Sequence, residues 1–382
     1  MRKLKVMSIF GTRPEAIKMA PVVLELGKFP AQIESLVAVT AQHREMLDQV
    51  LRLFNIRPDF DLNIMSEGQT LFDITSRALL GLDKVLTAAT PDIILVHGDT
   101  TTTFAGALAA YYHQIEVGHV EAGLRTRNKF SPYPEEMNRR LTGSLADLNF
   151  APTATAKNNL LRENVDADKI FVTGNTVIDA LYKTVRADFE FTGELAQIDF
   201  SKKIILVTTH RRENLGEPLR QVYKALKALV EEFPDVEIIF PVHKNPKVRE
   251  VVNAELGGLQ RVFLTDPIDY EPFANLMNRA TLIMTDSGGL QEEAPALGKP
   301  VLVLRDTTER PEALPAGTVK LIGTNQEKVY GAAKILLTDA AAYKKMAEAQ
   351  SPYGDGHAAE RIVKALLWRH KFLPARPEEF RG

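Results

Sequence analysis

Residues 282–304 read LIMTDSGGLQEEAPALGKPVLVL. An apolar run stops at Thr285-Asp286-Ser287-Gly288-Gly289, a helix-like segment runs from Leu290 to Leu297, and a second apolar run follows at 300–304. Strand, tight turn, helix and strand in that order make one unit of a parallel α/β sheet. A helix that opens directly from a strand leaves backbone N–H groups unpaired, and its dipole adds partial positive charge, so the turn suits a phosphate. Glu292 and Glu293 lie within the first turn of the helix, where a carboxylate can accept hydrogen bonds from ribose hydroxyls. A bare strand–Gly–Gly–helix turn also serves as an ordinary structural corner. Serine next to paired glycines is what close approach of an anion needs.

The same alternation extends outward in both directions. Strand-like runs fall at 4–10, 33–40, 92–97, 115–120, 147–151 and 169–173, then at 203–208, 236–241, 261–264, 281–285 and 300–304. They are rich in Ile, Val and Leu without period-two alternation, as expected of strands covered on both faces. Eleven runs exceed one comfortable sheet, so the expected fold is α/β, with two doubly wound Rossmann-like domains and a cleft between them. The expected division is 1–173, 174–356, and a final helical segment, 357–382, that crosses back to the first domain. Ligands of doubly wound sheets bind at the carboxyl ends of the strands.

At 382 residues, 45% apolar and 25% charged, the chain has the make-up of a globular protein with room for two cores. A net charge of −2 gives no footprint for nucleic acid or an anionic membrane. Cysteine is absent, which excludes disulfide and thiol chemistry and fits a reducing compartment. The opening MRKLKVMSIFGTRPE has too short an apolar run for a secretory signal, and no stretch is long enough to span a membrane. A cytoplasmic location is expected.

Charged and imidazole side chains collect where the strands end. The first half supplies Arg13 and Lys18, then His97 and Asp99, then Glu121; the second supplies His210, His243, Ser287 and Arg310. Glu135 and Arg139 are four apart on one helix face and can pair, as a surface ion pair or as part of a site. Carboxylates gathered in a desolvated cleft have their acidities pushed apart, so one can act as acid and another as base. The cations suit an anionic ligand such as a diphosphate. No close histidine pair suggests a metal, and no GxGxxG suggests a dinucleotide, so no cofactor is expected.

Eight segments together carry a resemblance: GTRPEAIKMAP (11–21), HGDTTTT (97–103), GHVEAGLRT (118–126), SPYPEEMNRR (131–140), GNTVIDAL (174–181), THRREN (209–214), TDSGGLQEEAP (285–295) and RDTTERPE (305–312). As an ordered set they resemble the non-hydrolysing UDP-N-acetylglucosamine 2-epimerases, which have the two-domain GT-B architecture. The resemblance implies interconversion of UDP-GlcNAc and UDP-ManNAc, supplying ManNAc units for cell-surface polysaccharide. It also implies a homodimer, and closure of the two domains on substrate. The route it implies is elimination of UDP to a 2-acetamidoglucal, then re-addition with C2 inverted. Chemistry favours that route independently. The C2 hydrogen is not next to a carbonyl carbon, and transient oxidation at C3 would need the dinucleotide whose fingerprint is missing.

By this resemblance Asp99, Glu121 and Glu135 are the acid/base candidates, and His210 is catalytic or holds the diphosphate. Arg139 would hold Glu135 or the sugar. Arg13, Lys18, His243, Ser287, Gly288, Gly289, Glu293 and Arg310 would bind UDP, with Phe273 near the uracil. Some relatives of this kind are activated by UDP-GlcNAc at a second site. Its counterparts here are Gln42 and His43, but Gly68 stands where that pattern has arginine. A GT-B glycosyltransferase, a hydrolysing epimerase and a nucleotide-sugar sensor are the competing readings.

Overall fold

The computed structural model describes residues 2–42, 44–211 and 214–382, with the side chain of Lys247 excluded. His43, Arg212 and Glu213 lie outside the described residues. The chain divides into two compact units, residues 1–180 with 353–382, and residues 181–352.

The first unit holds strands β1 (Leu4–Phe10), β2 (Ile33–Val39), β3 (Phe60–Asp61), β4 (Ile93–His97), β5 (Glu116–Val120), β6 (Leu148–Ala151) and β7 (Ile170–Val172). They form one parallel sheet in the order β3-β2-β1-β4-β5-β6-β7. The second holds β8 (Lys203–Thr208), β9 (Val236–Pro241), β10 (Val262–Thr265), β11 (Leu282–Thr285), β12 (Val301–Val303) and β13 (Val319–Leu321), parallel in the order β10-β9-β8-β11-β12-β13. The strand order reverses between β1 and β4 in one sheet and between β8 and β11 in the other. Those switch points open crevices at the carboxyl ends of the strands, where α/β sheets take ligands.

Two strands lie outside the expected eleven. Both β3 and β13 are edge strands of two and three residues, too short to leave an apolar run in the sequence. The division also differs from the expected boundary at 173/174, because the start of helix Thr176–Thr184 is fastened within the first unit. Asn175 N–H donates to the Tyr353 carbonyl (2.6 Å), and the Asp179 carboxylate accepts from the N–H groups of Ala358 (3.1 Å) and Ala359 (2.8 Å). Through these contacts the segment from Tyr353 rejoins the first unit, where helix Ala358–Arg369 packs on helix Arg13–Leu26.

Helices cover the sheets for reasons visible residue by residue. Helix Leu71–Ala89 buries Ile74, Ala78, Leu82, Val85, Leu86 and Ala89, one stripe of a 3.6-residue period. Thr70 and Asp73 cap it reciprocally, the Thr70 N–H donating to Asp73 (2.8 Å). Leu82 and Leu86 join Met7, Ile9, Ile94 and Val96 in one core, each large aliphatic contributing about 1.5–3 kcal/mol by burial. The second unit repeats the scheme, with Tyr223, Leu226 and Leu229 of helix Glu217–Glu232 packed against Ile205, Ile238 and Phe240. At the end of β1, Gly11 is required by space. A Cβ there would lie 2.0 Å from Thr40 Oγ1 and 2.6 Å from Thr102 Oγ1.

Candidate active site

In the first unit the site begins where β1, β4 and β5 end. Thr12 caps helix Arg13–Leu26, and Glu15 closes the turn, accepting from the N–H groups of Gly11 (3.1 Å) and Thr12 (2.8 Å) and from the Thr100 hydroxyl (2.8 Å). Burial raises the Glu15 carboxyl, although the Thr100 and Thr12 hydroxyls act against it. One turn further on, Lys18 pairs with Glu121, the residue that follows β5. Asn175 Nδ2 donates to the same Glu121 oxygen (3.0 Å), and His97 Nε2 lies 3.6 Å from it.

Burial alone would raise the Glu121 carboxyl. The Lys18 ammonium, joined by the His97 ring, overcomes that effect and holds it well below the usual carboxylate range. Glu121 adopts φ 61°, a left-handed conformation uncommon for a residue with a side chain, and Gly98 turns the neighbouring strand end at φ 67°. A left-handed backbone at such a position costs about 1–3 kcal/mol and tends to persist where a side chain must be aimed.

Asp99 follows β4, and its carboxylate pairs with Arg139 from helix Glu135–Leu145. Asn138 Nδ2 fixes the same turn by donating to the Asp99 carbonyl (2.9 Å). The expected Glu135–Arg139 pair is corrected here. Arg139 reaches Asp99 and, at 3.5 Å, the fully buried Glu136. Among the described residues no ion pair joins it to half-buried Glu135. Glu135 opens the helix, and Arg139 lies on the face turned to the β4 end. Behind these groups His119 Nε2 donates to the Gly98 carbonyl (2.7 Å), and burial pushes the ring down to about 4, so it is neutral at ordinary pH.

In the second unit Thr208 and Thr285 are register partners on β8 and β11, their hydroxyls 2.6 Å apart. The residues beyond them therefore leave side by side. Asp286 is fully buried, and His210 Nδ1 lies 3.1 Å from it. Burial acts to raise the Asp286 carboxyl, but hydrogen bonds from the His210 ring and the neighbouring N–H groups prevail and hold it low. Nothing in the local sequence of the Thr285–Gly289 turn singles out Asp286, because its partner His210 is remote in the chain. Ser287, Gly288 and Gly289 follow, and a Cβ added at Gly288 or Gly289 would meet nothing within 3.5 Å.

Glu293 accepts from the Tyr270 hydroxyl (3.4 Å), which brings helix Tyr270–Arg279, and with it half-buried Phe273, to this turn. Arg310 pairs with buried Glu292, while Arg305 grips Glu309 with two hydrogen bonds (2.7 and 3.2 Å). Arg305 is outside the expected site residues, whereas Glu292, expected with Glu293 to face ribose hydroxyls, is instead taken up by Arg310. His243 is exposed after β9, its Nδ1 accepting from the Asn245 N–H (3.1 Å). Arg13 is half-buried at the start of its helix.

Other expected positions fall elsewhere or carry other work. Gln42 follows β2 and accepts from Gln69 through its carbonyl (3.3 Å) and from Thr102 through its side chain (3.4 Å). Gly68 has φ 66°, a conformation that arginine adopts only at a cost. His43, the other residue considered for a second ligand site, is outside the described residues. Among the described residues no group of three or more His, Asp or Glu could hold a metal ion, and no helix is long and apolar enough to cross a membrane. A groove of about 970 Å³ lined by Asp147, Asp166, Lys169, Trp368 and Phe372 lies at the amino ends of β6 and β7, remote from the strand-end residues above.

Comparison with known proteins puts these strand-end residues in a wider setting. A family model described as UDP-N-acetylglucosamine 2-epimerase matches residues 27–367. UDP-N-acetylglucosamine 2-epimerase of Bacillus subtilis is 60% identical over 382 residues, covering 100% of both chains. The crystal structure of a Listeria monocytogenes protein described as a UDP-N-acetylglucosamine 2-epimerase superposes with a TM-score of 0.95 at 54% identity, covering 100% of both. That of the Neisseria meningitidis UDP-GlcNAc 2-epimerase, bound to UDP-GlcNAc, gives 0.84 at 50% identity, covering 96% of this chain and 100% of that one.

Proposed function

Because this chain belongs to the UDP-N-acetylglucosamine 2-epimerase family, we propose that it interconverts UDP-GlcNAc and UDP-ManNAc by inverting C2. The observation that carries the reading is a pair of carboxylates, Asp99 and Glu121, at the carboxyl ends of adjacent strands, each matched to its own cation. Elimination needs a base for the C2 proton, a stabilised leaving diphosphate and a way to return a proton to the opposite face. Asp99, Glu121 and Glu135 are the acid/base set. A base takes the C2 proton, the bond from C1 to the diphosphate oxygen breaks, and the electron pair forms the C1–C2 double bond of 2-acetamidoglucal. UDP oxygen then re-adds to C1 while C2 is reprotonated from the other side.

Lys18 and Arg13 in the first unit, and His210, His243, Arg310 and the Ser287-Gly288-Gly289 turn in the second, supply positive charge and N–H groups for the diphosphate. Glu293 takes the ribose hydroxyls, and Phe273 contacts the uracil. What supports this division is the chemistry of each strand end: carboxylates with cations in one unit, a glycine turn and an imidazole in the other. Lys18 has a second part. While it pairs with Glu121 that carboxylate is a weak base; drawn toward a diphosphate, it leaves Glu121 a stronger one. The reading includes a cytoplasmic homodimer that supplies ManNAc units for surface polysaccharide, with neither nucleic acid nor membrane as partner.

Incubation with UDP-GlcNAc alone in D₂O tests it. Deuterium should appear at C2 of both epimers, with UDP-ManNAc formed and no net release of free ManNAc. Interconversion that leaves C2 unlabelled would refute the elimination route, and binding without any turnover would refute the enzyme.

A further inference from the structure

We propose that Asp286 is a positioning residue that sets the tautomer of His210 and so aims Nε2 at the ligand. The proposal deepens the function above and rests on the part given there to His210. Thr208 and Thr285 pair in register, so the chain leaves β8 and β11 with Asp286 directly beneath the turn that carries His210. The Asp286 carboxylate is fully buried and surrounded by donors: the His210 N–H (3.1 and 3.0 Å), the Arg211 N–H (3.0 Å) and Asn214 Nδ2 (3.3 Å). His210 Nδ1 is 3.1 Å from Oδ1.

An ionised carboxylate only accepts, so the facing Nδ1 must carry a proton for the contact to be attractive. The neutral ring is therefore the Nδ1–H tautomer, and Nε2 holds the lone pair. The His210 side chain is 43% exposed, and the described residues give Nε2 no partner. An imidazole so held presents Nε2 as the ring atom that faces the ligand, with the buried carboxylate fixing the ring from behind. Were Asp286 only a cap for the turn, its backbone contacts would suffice, and the side-chain contact to Nδ1 would do nothing for turnover.

Selective ¹⁵N labelling of histidine, with His210→Asn for assignment, reads the tautomer directly in the wild-type protein at about pH 8.5, where free imidazole is neutral. A dominant Nδ1–H form is expected, lost in Asp286→Asn. Turnover of UDP-GlcNAc should fall roughly 100-fold in kcat for Asp286→Asn, with KM within a few-fold. In the His210→Asn background the same substitution should change kcat less than about twofold, because its effect passes through the ring.

An Nε2–H tautomer in the wild type, beside a His210→Asn variant whose turnover is sharply reduced but still measurable, overturns the proposal alone. An equal loss from Asp286→Asn in both backgrounds does the same, since that is the mark of a purely structural role. Full turnover in His210→Asn overturns both the proposal and the part assigned to His210. The wild-type measurement stands even if Asp286→Asn fails to fold.

Discussion

Lys18 and Glu121 form an ion pair between the helix that follows β1 and the residue that ends β5, with side-chain exposures of only 18% and 8%. A buried carboxylate left without its cation keeps the cost of desolvation and loses what offset it. Lys18→Met should therefore destabilise the protein by on the order of 3 kcal/mol at neutral pH. Glu121 is held low in the folded state, so its stabilising contribution is present above the ordinary carboxylate range and fades as pH falls through its folded value. In the variant Glu121 takes up a proton earlier, and the deficit should shrink toward about pH 4.5. Urea unfolding of both proteins across this range measures it; a deficit that stays constant would assign the loss to packing of the lysine stem.

Glu121→Gln keeps the shape of the side chain and removes its charge and its capacity as a base. Conversion of UDP-GlcNAc should become undetectable, while UDP affinity measured by calorimetry stays within a few-fold. Retained conversion would remove Glu121 from the mechanism.

His119 is buried neutral, pushed down to about 4 by desolvation, and an unfolded histidine titrates near 6.5. Between those values the unfolded chain binds the proton and the folded one does not, so stability falls as pH drops through the window. At about 1.4 kcal/mol per pH unit the loss reaches about 3 kcal/mol. His119→Gln should remove that slope between about pH 6.5 and 4, at a fixed cost for the altered hydrogen bond to Gly98. Unfolding free energies at several pH values test it, and an unchanged slope would sink the account.

Asp179 behaves in the opposite sense. Burial pushes it up to about 6 against an ordinary value of 3.8. The folded state binds the proton more tightly, so this group's contribution grows as pH falls through the window and is lost as pH rises above about 6. Relative to Asp179→Asn, the wild type should gain up to about 3 kcal/mol between pH 6.5 and 4. A difference between the two that does not vary with pH would contradict it. Because Asp179 receives the N–H groups of Ala358 and Ala359, the variant should also loosen the returning helix, seen as faster amide exchange there.

Much of the architecture could be read from residue order. Runs such as LKVMSIF and KIILVT declare buried parallel strands because both faces must be apolar, and strand-end polar residues mark the ligand side. The two-residue β3 and three-residue β13 could not be read, since edge pairing of so few residues depends on a neighbour already in place. Arg139 shows the limit at the site. Helical spacing offered Glu135 as its partner, but the side chain turns to Asp99, which is distant in sequence.

Local chemistry, then, is set by the order of residues alone: which segments become buried strands, where glycine permits a sharp turn, and which acids and bases stand at strand ends. Periodicity and side-chain type act over a few residues, so they survive in a linear text. Pairings were decided by the folded chain. Strand order brings Glu121 to Lys18, and the register of Thr208 with Thr285 puts Asp286 beneath His210. Those contacts span long separations in sequence, and only sheet geometry fixes which side chains meet and with what charge.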